Sequence, residues 1–145
     1  MESSGRANVL VVANRTAATP ALLDAVRARA EESPAYFHLV VPDPEHAHLR
    51  APHDHSAGDK VLALALPLIR EAAGGQADGS VSIRRDPMDA IEEALMAGDF
   101  DEIILSTLPR RVSHWLHLDL PGRVAHLGLP LTTIVANEPS LSGVA

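Results

Sequence analysis

Hydroxyls, guanidinium forks and backbone N–H groups are the protein groups that hold a phosphate. The segment DEIILSTLPRRVSHWLHLDLPGRV, Asp101 to Val124, gathers the first two kinds. An apolar run, Ile103-Ile104-Leu105, leads into Ser106-Thr107. Arg110 and Arg111 follow, then Ser113 and the single tryptophan, Trp115. In an α/β protein, the loop after such a strand is where a phosphate sits. A second polar set, Asn14-Arg15-Thr16, closes the first apolar run of the chain.

The histidines offer a different chemistry. His46, His48, His53 and His55 share one stretch with Asp43 and Asp54. Two His-x-His pairs could supply four imidazoles to zinc, nickel or copper. There is no cysteine to join them, and no periodic scaffold carries them, so the stretch reads as an exposed loop and no metal site is assigned. His114 and His117 lie three apart and share a face if their segment is helical. Trp115 between them reads as a packing residue. No Ser-His-Asp arrangement follows from spacing. Hydrolysis would need a metal-holding carboxylate or a positioned base, and neither stands out, so no catalytic residue is named.

The elements that must position these groups come next. The chain of 145 residues suits one domain, read as 1–145 with a core over about 7–137 and a polar tail at 138–145. Hydrophobic residues make up 46%, which excludes general disorder. A net charge of −7 argues against a nucleic-acid binder but leaves room for a small anion in one pocket. No apolar run reaches membrane-span length, and MESSGRA has no signal-peptide core, so a cytoplasmic protein is expected. Eleven arginines against the single Lys60 fit a high-GC bacterial genome.

Asn8 to Ala13 is a continuous apolar run, as a strand buried on both faces requires. Thr19-Pro20 is an N-cap followed by a first-turn proline, and Leu22, Leu23, Val26 and Ala30 predict a helix over about 20–32. Tyr36 to Val41 is a second buried strand. A long loop over 42–58 precedes a helix from about Asp59 to Ala73. Pro67 should kink that helix or shorten its start, and Gly74-Gly75 ends it. Ser80 to Arg84 predicts a short strand nearer the edge. Asp86-Pro87 opens a third helix carrying Met88, Ile91, Leu95 and Met96, closed by Gly98. Glu102 to Ser106 is the fourth strand. A helical stretch over about Val112 to Leu127 is divided at Pro121, recapped by Asp119 and ended by Gly128. Leu131 to Val135 is the fifth strand. Alternating strands and helices predict a parallel, doubly wound α/β sheet.

Three pieces of this pattern resemble the universal stress protein family. Ile83-Arg84-Arg85-Asp86-Pro87-Met88-Asp89-Ala90-Ile91 is similar to its third strand, proline turn and helix. Phe100-Asp101-Glu102-Ile103-Ile104-Leu105 resembles the entry to its fourth strand. Gly128-Leu129-Pro130 before Leu131-Thr132-Thr133-Ile134-Val135 resembles the approach to its last. The resemblance spans about residues 7–137 and implies a single-domain three-layer sandwich, with five parallel strands in the order 3-2-1-4-5.

That order implies a ligand crevice where it reverses, between strands one and four. Ala13, Asn14, Arg15 and Thr16 would line one side, with Ser106, Thr107, Arg110, Arg111 and Ser113 opposite. Val41 stands at the strand-two exit that touches adenine in the family's ATP binders. ATP or another adenine nucleotide is the ligand the resemblance implies. Two features depart from the ATP-binding members. No glycine occurs from 99 to 121, and Asn14 replaces the acidic residue expected after the first strand. The resemblance also implies a homodimer through Leu131 to Val135. Two function classes follow: a stress-related small-ligand binding module, or a ligand-free homodimeric adaptor acting on a protein partner.

Overall fold

In the computed structural model the described residues are 6–43, 57–84, 86–109 and 111–136. His46, His48, His53, His55, Arg110 and the polar tail lie outside them. The elements are β1 (Ala7–Val12), α1 (Pro20–Glu32), β2 (Ala35–Pro42), α2 (Ala57–Ala72), β3 (Ala77–Ser82), α3 (Pro87–Ala97), β4 (Glu102–Thr107), α4 (His114–His117), α5 (Leu120–Ala125) and β5 (Leu131–Val135). The sheet order is β3-β2-β1-β4-β5, and every neighbouring pair is parallel. The fold is therefore the predicted one.

The apolar runs of β1 and of Leu39 to Val41 in β2 arise because successive side chains alternate between two buried faces. Val9, Val11, Phe37, Leu39 and Val41 pack with Leu22 and Val26 of α1 and with Ala65 and Ile69 of α2. Leu10, Val12, Ile103 and Leu105 pack on the other face with Met88 and Ile91 of α3 and with Leu120 and Val124 of α5. The second face is covered best over β1 and β4. Toward β3 its residues turn polar and its cover thins.

Thr19 and Asp86 occupy the N-caps of α1 and α3 as expected, each before a proline. Arg29 near the end of α1 forms a two-pronged ion pair with Glu102 at the start of β4, at 2.9 and 2.8 Å. That hydrogen bond raises the Arg29 pKa, and the Glu102 charge adds to the effect.

Three local points differ from or refine the expectations. Of the two effects expected of Pro67, a shortened start does not occur, since helix α2 runs from Ala57 through Pro67 to Ala72. Pro67 and Ala63, whose carbonyl loses its usual donor, both lie on the exposed side, where solvent can replace the bond. Strand β3 covers 77–82 rather than 80–84. Gly79 lies inside it, where a Cβ would meet Leu62 Cδ1 at 2.8 Å and the Leu39 carbonyl at 3.0 Å. The close approach of α2 therefore calls for glycine inside the strand. Asp119 does hold the N-cap position of α5, but with a left-handed backbone (φ 55°) and no side-chain cap.

Candidate functional site

The crevice at the switch point is built from three loop segments. Asn14, Arg15 and Thr16 leave β1, Ser106, Thr107 and Leu108 leave β4, and Val112 to Trp115 enter α4. Together they enclose a cavity of about 150 Å³. Pockets for drug-sized ligands run to roughly 300–1,000 Å³, so this one suits a phosphate or a sugar more than a whole nucleotide.

Most polar side chains of the crevice already hold a hydrogen bond within the protein. Thr16 and Ser106 share a buried hydroxyl–hydroxyl hydrogen bond of 2.6 Å, tying the β1 exit to the β4 exit. Asn14 donates from Nδ2 to the Pro42 carbonyl at 2.6 Å, latching the ends of β1 and β2 together. Ser113 accepts from Leu116 N–H at 3.1 Å and caps α4. Thr107 differs: its Oγ1 is buried and has no hydrogen-bond partner among the described residues. An orphaned hydroxyl of that kind costs about 1–3 kcal/mol.

Of the residues expected at the site, the crevice gathers Asn14, Arg15, Thr16, Ser106, Thr107 and Ser113. Arg15 is exposed at its mouth. Ala13 and Val41 are fully buried in the core beneath α1 and α2, and neither lines the crevice. Arg111 is exposed and is not a lining residue, while Arg110 lies outside the described residues. His114 and Trp115 were not expected at the site, yet both line it. Trp115 is also packed against the core cluster of the second sheet face, in keeping with its packing role. Among the described residues, no group of three or more His, Cys, Asp or Glu side chains is placed to hold a metal, and no helix is long and apolar enough to cross a membrane.

A larger cavity of about 580 Å³ opens over the β2–β3 end of the sheet, on the side of α3. It contains His38, Asp78 and Ser80, which sequence spacing did not single out. The missing signal was the true start of β3, because only a strand beginning at Ala77 sets Asp78 and Ser80 on one face beside His38.

No protein-family model matches the sequence, and no curated protein matches it. Solved structures do. A universal stress protein from Archaeoglobus fulgidus superposes with a TM-score of 0.61 at 15% identity, covering 88% of this chain and 93% of the other. The structure of the universal stress protein from Archaeoglobus fulgidus in complex with dAMP gives a TM-score of 0.57 at 16% identity, covering 90% and 97%. This chain thus has the universal stress protein fold, with a small polar crevice at its switch point.

Proposed function

We propose that the protein is a cytoplasmic, stress-related binding module that takes the phosphate or ribose portion of an adenine nucleotide, or a similar phosphate compound, into the β1–β4 crevice. The observation that carries this reading is the orphaned Thr107 hydroxyl beside a phosphate-sized cavity with Arg15 at its mouth. A turn about χ1 would carry that hydroxyl between staggered positions, and a ligand acceptor would relieve its isolation. The fold's likeness to a protein solved with dAMP supports the same ligand class. Side chains would do the work that glycine backbone performs in the family's ATP binders.

Thermal unfolding against AMP, dAMP, ADP, ATP, cyclic AMP and inorganic phosphate tests the reading. A ligand at one hundred times its dissociation constant adds about 2.7 kcal/mol, which moves the melting curve by several degrees. Thr107→Val should leave the free protein as stable or slightly more so, because it removes an unpaired hydroxyl, and should abolish the ligand shift. No shift with any compound at millimolar concentration would contradict the reading.

The adaptor alternative draws on one observation. Strand β5 is an edge strand, and its Thr132, Thr133 and Val135 are exposed. Such an edge favours pairing with a second copy across a two-fold axis. A dimer of this kind is compatible with ligand binding as well as with its absence.

A further inference from the structure

We propose that His38, Asp78 and Ser80 form a nucleophilic serine site that acts on small esters, in the cavity over β2 and β3. His38 stands opposite Asp78 in the parallel register, and Ser80 follows two residues on, so all three side chains rise from one sheet face. His38 Nδ1 lies 2.6 Å from Asp78 Oδ1, and Nε2 lies 3.1 Å from Ser80 Oγ. A carboxylate only accepts, so Asp78 fixes the proton of the neutral ring on Nδ1. Nε2 is then an acceptor, and the Ser80 hydroxyl must donate to it. This is the hydrogen-bond direction required of a base that takes a proton from a serine.

The surroundings suit a reaction. Ser80 is exposed, and the His38 and Asp78 side chains are 24% and 51% exposed, so substrate can reach the hydroxyl. The Phe100 ring flanks the imidazole, 6.2 Å between centroids. Ala94, Ala97 and Phe100 give the cavity an apolar wall for a short acyl group, while Glu93 and Asp99 at its rim disfavour an anionic one. Gln76 and Ser82 turn their carbonyls to β2, so the alternate residues Gly79 and Val81 face away from β2. Their N–H groups, on either side of Ser80 along the open strand edge, are the donors the proposal requires for a developing oxyanion.

The step balances without a cofactor. Ser80 Oγ bonds to the ester carbonyl carbon as its proton passes to His38 Nε2. The bond to the alcohol oxygen then breaks, and the alcohol leaves with that proton. Water repeats the sequence at the acyl-serine, releasing the acid and restoring Ser80. His38 and Ser80 are the catalytic residues, and Asp78 is a positioning residue.

The test is labelling of the intact protein with a fluorophosphonate, together with p-nitrophenyl acetate turnover. One adduct per chain is expected, mapped to Ser80, with fluoride as the leaving group. Turnover should fall about a hundredfold in Ser80→Ala. His38→Gln, which keeps the hydroxyl but removes the base, should lose both labelling and turnover while melting like the parent. Asp78→Asn should lower kcat and leave KM unchanged. No adduct, an adduct elsewhere, or parental turnover in folded Ser80→Ala would overturn the proposal and leave the three residues as a hydrogen-bonded brace of the sheet edge.

Discussion

Asn14 shows why a side chain's donors matter as much as its size. Its amide donates to the Pro42 carbonyl at 2.6 Å, a bond that a carboxylate cannot make. The asparagine found where the family resemblance leads one to expect an acid therefore has a structural task. Asn14→Asp should place two acceptors against each other and destabilise the fold by about 1–3 kcal/mol, read as a lower urea midpoint at neutral pH. An unchanged midpoint would mean that the latch contributes nothing. The sequence made the polar character of this position legible, along with that of Arg15, Thr16, Ser106 and Thr107. It could not show that Thr16 and Ser106 satisfy each other while Thr107 is left alone, because that depends on side-chain directions at residues 90 positions apart.

At the scale of elements, the caps and breaks were the most legible features, since Thr19-Pro20, Asp86-Pro87 and Gly74-Gly75 act through local backbone chemistry. Strand β3 was the least legible. Its glycine is set by Leu62 of a helix that packs on it, and no local pattern reports that contact. With β3 misplaced, the His38–Asp78–Ser80 alignment stayed hidden.

The α3 cap yields a pH prediction. Asp86 accepts from Met88 N–H at 2.9 Å and from Arg123 at 3.0 Å. The Met88 bond and then the Arg123 guanidinium hold its carboxyl below the ordinary value of 3.8. A lowered folded pKa means stability present above the ordinary value and lost as pH falls through the folded one. Asp86→Ala should therefore cost about 1 kcal/mol at neutral pH. The gap between variant and parent should stay constant down to the ordinary value and close below it. A gap that widens in acid would refute this account of the cap.

For the whole molecule, the parallel sheet was legible because strands and helices alternate and each crossover must return on the same hand, while the strand order was legible only through the family resemblance. The two-faced core of β1 followed from its unbroken apolar run, and that of β2 holds only beyond His38, over Leu39 to Val41. The same order leaves β5 on an edge. If two copies join there, Val135, 53% exposed in the single chain, is buried at the seam. Val135→Lys should then weaken the dimer on the order of tenfold, the equivalent of about 1.4 kcal/mol. Sedimentation equilibrium reads this directly, and a monomeric parent protein would remove the adaptor reading in its dimeric form.

The central claim is that ligand enters between β1 and β4. Amide correlation spectra of labelled protein titrated with AMP test it most directly, because each residue reports its own surroundings. The account predicts saturable shifts at Asn14–Thr16, Ser106–Leu108 and Val112–Trp115, including the Trp115 indole N–H, the chain's single such signal. Spectra unmoved by millimolar AMP, or shifts gathered instead around His38 and Ser80, would contradict it.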